Sequence, residues 1–281
     1  MFMGALSLGV VYLIAVFILF MLGKYFFDLT HRKINLKEEL VERDNLALAL
    51  SMGGYFIGLT LAVGGGLAGP SVSITMDLID IFLYGIIAIL LLHLSVRIND
   101  WLILYRFSSE KEIIQDKNCG VGIIEAGNHV AMGMIINGAV ASGGDIKTVL
   151  VFWILGQLTL VVASWVYCKI TGFNVLDAIE KDNVAVGTAF AGMLLAVGNL
   201  IRFAVSGTFV SWAQNLGFFA TVVVFGLIAL PLVRKATDKL VLPGQRLTDE
   251  LIHQENPNIG AGVIEGVVYI AMSFLIGWCF A

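Results

Sequence analysis

The sequence predicts an all-α polytopic membrane protein with eight transmembrane helices, arranged as two parallel tandem repeats of four. Of its 281 residues, 58% are hydrophobic and only 14% are charged, whereas a soluble domain carries about 25% charged residues. Eight apolar runs are long enough to cross a bilayer, and short motifs recur in the same order in both halves. A chain of this length cannot bury so much apolar surface in a water-soluble core, so the bilayer must act as its solvent.

The predicted spans follow from the apolar runs, because a helix needs about 20 mainly apolar residues to cross the hydrocarbon layer. No basic residue precedes the first run, which indicates a retained span and not a signal peptide. The third and seventh runs are the shortest. The predicted spans are 5–27, 45–66, 79–96, 119–140, 148–168, 184–205, 216–233 and 259–280.

The distribution of basic residues predicts the orientation. Of the 17 lysines and arginines, all except Lys147 and Arg202 lie in or beside the loops that follow the first, third, fifth and seventh spans. Arg234 belongs to the last of these loops. Cytoplasmic loops carry such an excess. We therefore expect a multi-pass protein of the bacterial inner membrane, with these loops in the cytoplasm and both termini outside. In the second loop, Ser109 and Glu112 have the spacing of a capping box, which predicts a short interfacial helix.

The two halves of the chain repeat one another, which predicts a first four-helix unit at 1–141 and a second at 142–281. VERDN at 41–45 returns as IEKDN at 179–183, and NCGVGIIEAG at 118–127 returns as NIGAGVIEG at 258–266. Between these motifs, Asp100 matches Asp238. Each copy contains an even number of spans, so both enter the membrane in the same direction. Parallel repeats of this kind predict a pseudo-twofold axis along the membrane normal.

These paired motifs carry a resemblance to a known family. The chain resembles the YjfL-type bacterial inner-membrane proteins in the order of three elements. These are the pair DN, then a helix rich in small residues, then the motif N-x-G-x-G-[IV]-I-E-[AG]. The resemblance covers almost the whole chain, once per half. It implies a four-helix unit, often in tandem, and no assigned reaction, so it carries no site residue over to this chain.

Glu125 and Glu265 are the most informative residues of the sequence. If Asn118 and Asn258 cap the fourth and eighth spans, each glutamate lies about 10 Å below the start of its helix, at 1.5 Å per residue. A charged side chain within a bilayer costs about 2.5–3.5 kcal/mol, and such residues mark functional sites. Two interpretations stay open: a binding site for a cation or proton, or a hydrogen-bonded packing contact between helices.

His129 lies on the same helix face as Glu125, because the two are four residues apart. The matching position of the second half is Tyr269, so the halves differ chemically. A Glu–His pair relays protons or binds a metal in other proteins, but one pair supplies too few ligands to assign a metal. A hydrogen bond between helices is the interpretation that we favour for His129.

Acidic and amide residues begin the second and sixth spans at the predicted cytoplasmic boundary. They are Asp44 with Asn45 and Asp182 with Asn183. Helix capping is the role that Asp and Asn favour at such positions. An alternative is an acidic cytoplasmic vestibule, shared with the two glutamates, that attracts cations.

Together these residues predict a transporter or channel for a cation or proton, with a path along the interface between the two halves. The alternative is a non-transporting scaffold whose cytoplasmic segments bind a partner protein. The sequence contains no nucleophile triad, zinc spacing or nucleotide motif, so we expect no enzyme and no cofactor. A net charge of −4 argues against nucleic acid as a partner. The lipid bilayer is the expected environment, and oligomerisation stays open.

Overall fold

The computed structural model describes residues 2–32, 34–67, 73–241 and 244–280, so Lys33, one of the predicted loop lysines, lies outside it. These residues form helices and no strand, and eight helices are long and apolar enough to cross a membrane. The predicted all-α class with eight spans is confirmed. The spanning helices are α1 (Phe2–Thr30), α2 (Leu46–Gly64), α3 (Ile74–Leu102), α5 (Cys119–Ala141), α6 (Ile146–Ile170), α8 (Val184–Val205), α9 (Trp212–Ala236) and α10 (Ile259–Phe280).

Short helical segments follow the odd-numbered spans. Two are α-helices, α4 (Ser109–Ile114) and α7 (Val175–Glu180). Three are π-helical turns, at Glu38–Glu42, Thr237–Val241 and Asp249–His253. The helix predicted in the second loop is therefore present as α4. Its cap is Ser108 and not Ser109, because the Ser108 hydroxyl accepts the Lys111 N–H at 3.4 Å, while Ser109 donates to Asp100 at 3.1 Å.

The prediction that the third and seventh spans are the shortest is wrong. Helix α3 has 29 residues, and the seventh span extends over 30 residues, from Trp212 to Val241. Charged residues such as Asp77 and Arg97 interrupt the apolar run without ending the helix. Arg234 is likewise not a loop residue, since it lies inside α9 and is only 7% exposed.

The spanning helices form two layers. The even-numbered spans make an inner row in the order α2, α5, α8, α10, and the odd-numbered spans α1, α3, α6 and α9 cover it. All inner helices run in the same direction because each follows a complete pair of crossings. Their backbones are in close contact: a Cβ added to Gly122 would collide with the backbone of Ala47, and one added to Gly192 with that of Gly266. Small residues permit this approach.

The contact between the two halves repeats the contacts within them. Helix α5 of the first half packs on α8 of the second, and a Cβ on Gly187 would meet the backbone of Gly120. The tandem, parallel arrangement is thus as predicted. The contacts add to the predicted pseudo-twofold relation which helices of the two halves meet. The second half follows the first head to tail along one continuous inner row.

The structure places the four predicted capping asparagines at the starts of the inner helices. Each side-chain oxygen accepts a backbone N–H from the first turn, at 2.9–3.1 Å. This satisfies one of the donors that a helix start leaves unpaired. The pairs are Asn45 with Leu48, Asn118 with Val121, Asn183 with Val186, and Asn258 with Ala261.

The amide groups of these asparagines join each pair of spans to the next. Three of the four donate to a backbone carbonyl in the short segment that precedes the following inner helix, at 2.8–2.9 Å. These contacts gather the loops after the odd-numbered spans at one end of the molecule, which we call the basic end. The bonds join Asn45 to Ile113, Asn118 to Ile179, and Asn183 to Leu251.

Replacing Asn118 by alanine is expected to lower the free energy of unfolding by about 2 kcal/mol. About 1 kcal/mol comes from the lost cap and about 1 kcal/mol from the lost bond to the Ile179 carbonyl. Asn258→Ala is the matched control, because Asn258 caps α10 and its amide bonds only Glu250 within the described chain. Unfolding in mixed detergent micelles measures both, and equal losses would contradict the linking role of Asn118.

Candidate functional site

Glu125 projects from α5 into a cavity inside the first half. The cavity has a volume of about 340 Å³ and is bounded by α1, α2, α3, α4 and α5. The Glu125 carboxylate is half-buried and accepts a hydrogen bond from the hydroxyl of Ser51 on α2. The space is lined mainly by apolar side chains, with several polar and ionisable groups among them, and it is large enough for several water molecules. Glu125 thus faces an internal cavity of the first half.

The deep end of the cavity is an aromatic cluster around Tyr55. The Tyr55 ring lies 5.4 Å from the ring of His93 and 5.6 Å from that of His129, both edge to face. The Tyr55 hydroxyl donates to the Gly23 carbonyl at 2.7 Å. His129 is only 3% exposed, and its Nδ1 atom has no hydrogen-bond partner among the described residues. A buried, unpartnered nitrogen at a cavity is a site that a water molecule or a bound ligand would satisfy.

The mouth of the cavity lies at the basic end. Thr30, Arg97 and Glu110 are exposed there, and Asp100 is half-buried. His31 stacks on Phe27 with ring centroids 4.3 Å apart. Burial lowers the pKa of His31, so this ring is neutral near pH 7. The other ionisable side chains at the mouth are Arg97, Asp100 and Glu110.

The acidic vestibule predicted from Asp44 and Asp182 is not found, because neither residue lines the cavity of Glu125. Both have left-handed backbones, with φ of 48° and 57°, directly before the capping asparagines. This turn directs Asp182 to the neighbouring helix, where its carboxylate accepts the Gly120 N–H at 3.0 Å. Asp44 is exposed. The acidic residues at the mouth are Asp100 and Glu110 instead.

Glu265, the counterpart of Glu125, lies in a filled site. Its side chain is fully buried and forms an ion pair with Arg234 of α9. Tyr167 of α6 donates a hydrogen bond to the same carboxylate oxygen at 3.3 Å. The Arg234 guanidinium lies 5.8 Å from the centre of the Tyr167 ring, which adds a cation–π contact. The two glutamates therefore have opposite environments.

The repeat explains the difference. The match of Asp100 with Asp238 aligns Val96 with Arg234, and Val96 lines the cavity of Glu125. The second half thus places an arginine where the first half leaves space. Sequence reasoning missed this, because it assigned Arg234 to a cytoplasmic loop. The available signal was the aligned pair itself, a valine in one copy and an arginine in the other.

The interface between the halves is apolar. All four inner helices line a groove of about 430 Å³, and Thr188 is its one polar side chain. Neither Glu125 nor Glu265 reaches this groove. The predicted path along the interface therefore does not pass the glutamates, which lie on helix faces turned toward the outer layer.

Comparisons with known proteins agree with the repeat. The family model described as Domain of Unknown Function (DUF350) matches twice, at residues 1–140 and 143–280. A UPF0719 transmembrane protein from Aquifex aeolicus (strain VF5) is 27% identical over 260 residues, which cover 90% of this chain and 93% of that protein. No solved structure is detectably similar. The resemblance drawn from the motifs, to a tandem membrane family without an assigned reaction, is confirmed.

Proposed function

This chain belongs to the DUF350 family, and from its site we propose that it is a transporter or channel for protons or a small cation and not an enzyme. The cavity that reaches Glu125 and the unpartnered Nδ1 atom of His129 carries this proposal. Ionisable groups that face a cavity within a membrane protein are typical of proton and ion pathways. The excess of basic residues supports a cytoplasmic position for the mouth, in an inner membrane.

In this proposal the two halves have different roles. Glu125 accepts the proton or cation that enters from the basic end, and Asp100 and Glu110 attract cations to the mouth. Arg234 neutralises Glu265 and occupies its space, so the second half supports the fold and does not bind an ion. Beyond the deep end, Leu59 and Met132 are fully buried. Passage across the membrane therefore requires this apolar layer to open.

Replacing Glu125 by glutamine is expected to reduce flux to the level of protein-free liposomes. The amide keeps the size and can still bond Ser51, but it neither holds a proton at this position nor carries a negative charge. The measurement is the pH change inside proteoliposomes loaded with a pH-sensitive dye, under an imposed potential, with potassium and sodium flux followed in parallel. Glu42→Gln is the matched control, since Glu42 is exposed and lies outside the cavity.

The outcome that overturns the proposal is equal flux in the wild type and Glu125→Gln, or no flux above background in the wild type. Intact folding of each variant is checked by its elution from size exclusion after heating. The proposal is supported if the Glu125→Gln variant is folded but gives no flux, while the Glu42→Gln variant gives the flux of the wild type.

A non-transporting scaffold is the second candidate, and the filled site around Glu265 favours it. There a glutamate inside a spanning helix forms an ion pair with Arg234, which is the kind of contact that a packing role requires. Side chains for a partner protein are also available at the basic end, where Trp101 is 75% and Leu240 is 80% exposed. Absence of flux in the wild type, with a stoichiometric protein that co-purifies and is lost on Trp101→Ala, would favour this candidate.

A further inference from the structure

The mouth of the Glu125 cavity has a counterpart in the second half. Near the end of α3, the Asp100 carboxylate accepts a hydrogen bond from the Ser109 hydroxyl at 3.1 Å. In the turn after α9, the matching Asp238 accepts the backbone N–H of Leu247 at 2.6 Å. Because Leu247 matches Ser109, the same two positions hold the following segment against the end of the helix in both halves.

A separate pocket lies at this place in the second half. It has a volume of about 320 Å³ and is bounded by the ends of α6 and α9 and by residues 246–248. Small-molecule sites have volumes of about 300–1,000 Å³. Arg234 is a buried part of its wall and donates from Nη2 to the Thr248 hydroxyl at 3.4 Å. Lys235 and Arg246 line it with exposed side chains. The apolar lining residues are Ile170, Pro231 and Leu247.

The charge of this pocket differs from that of the first mouth. On α9 and the segment 246–248, three lining residues are each more positive by one charge than their first-half counterparts. The pairs are Arg234 with Val96, Arg246 with Ser108, and Thr248 with Glu110. One cation is common to both halves, as Lys235 in the second and Arg97 in the first. The second mouth is therefore suited to an anion.

The two exposed cations of the pocket are not neutralised by the protein. Lys235 and Arg246 have no ion pair with another residue of the described chain. Asp238 also lines the pocket, but its carboxylate already accepts a backbone N–H. An anion that enters would meet two unpaired positive charges beside the Thr248 hydroxyl, and charge-assisted hydrogen bonds of this kind are the strong ones.

We propose that this pocket binds a phosphate group. A phosphate presents three strong acceptor oxygens in different directions, which suits donors that approach from α9 and from the segment 246–248. Lys235 and Arg246 supply the positive charge, and the Thr248 hydroxyl donates a further hydrogen bond. Arg234 remains paired with Glu265 and closes the inner side of the site.

The depth of the pocket permits two sources of phosphate. The apolar run of α9 ends at this level, since the exposed Leu232 is followed by Arg234 and Lys235. Basic pockets between membrane helices at this level bind lipid headgroups, and a soluble phosphate would reach the same place from the water. The pocket shares no lining residue with the cavity of Glu125. The site therefore does not depend on the proposed transport function, in which no transported ion enters the second half.

Lipid binding to the purified full-length chain tests the site. Phosphatidic acid is the probe, and diacylglycerol with the same acyl chains is the comparison that lacks the phosphate. By native mass spectrometry we expect the wild type to hold one phosphatidic acid more tightly than diacylglycerol. The double variant Lys235→Gln with Arg246→Gln should bind phosphatidic acid at least about tenfold more weakly, because it loses two charge-assisted contacts.

The matched control is Arg32→Gln with Lys239→Gln. It removes the same two types of charge from exposed positions outside the pocket. Since salt screens exposed charges that are distant from the ligand, its affinity should stay within about twofold of the wild type. Without added phosphate or lipid, both double variants should unfold as the wild type does, because all four side chains are exposed. This comparison separates a loss of ligand from a loss of fold.

Calorimetric titration with inorganic phosphate, at constant ionic strength in chloride, identifies the source. Phosphatidic acid binding that is lost in Lys235→Gln with Arg246→Gln, without heat from inorganic phosphate, assigns the site to a lipid headgroup. Inorganic phosphate binding that is lost in the same variant assigns it to a soluble phosphate. The proposal is overturned if the wild type binds neither phosphate, if diacylglycerol binds as tightly as phosphatidic acid and inorganic phosphate does not bind, or if the control loses as much affinity as the pocket variant.

Discussion

Replacing Arg234 by leucine is expected to lower the free energy of unfolding by about 3–5 kcal/mol, the usual loss when one member of a buried ion pair is removed. The change leaves the fully buried Glu265 with only the Tyr167 hydroxyl as a hydrogen-bond donor. The carboxylate is fully buried, so it would lose its charged partner without gaining the solvation of an exposed group. Denaturation of the purified protein in mixed micelles with increasing dodecyl sulfate measures the loss.

The double variant Arg234→Leu with Glu265→Leu separates the ion pair from the packing. Replacing both members of a buried pair by apolar residues is often neutral or stabilising, so we expect the double variant to recover most of the stability. Lys235→Leu is the matched control, because Lys235 is exposed on the same helix. Equal stability of Arg234→Leu and the wild type would show that Glu265 has no need of its partner, and the contrast between the two halves would be lost.

Replacing Val96 by arginine is expected to close the cavity of the first half and to abolish flux. The variant copies the second half, because Val96 aligns with Arg234 and lines the cavity of Glu125. The new guanidinium would pair with Glu125 and fill the space that water enters. Since the pair is complete, we expect a stability within about 2 kcal/mol of the wild type. Proteoliposome flux gives the functional result.

Access to the cavity gives a measurement that does not depend on transport. In the chain without native cysteines, Ser51→Cys places a thiol in the cavity wall, and a water-soluble maleimide applied from the basic end should label it. Adding Val96→Arg should prevent labelling, whereas Val96→Leu, of similar bulk but without charge or reach, should leave much of it. Unchanged labelling in Val96→Arg would show that the cavity is not blocked and that the alignment with Arg234 does not transfer.

Much of the fold could be predicted because its causes are local. A bilayer permits only long apolar helices in this composition, so the number of spans follows from the runs. Helix capping depends on one side chain and the next turn, which is why the asparagines lie where the sequence places them. The lengths of α3 and α9 were predicted too short. The predicted spans ended directly before Arg97 and Arg234, whereas both helices continue past these charged residues.

The sequence by itself determined the eight spans, their common repeat, the capping residues and the matched glutamates, since each depends on composition or on spacing along one helix. Only the tertiary structure decided what the glutamates do, because Arg234 and Tyr167 reach Glu265 from other helices, while Val96 leaves the space beside Glu125 open. It also decided that the two halves join by the same contact that each contains, because packing between helices depends on which faces meet in space.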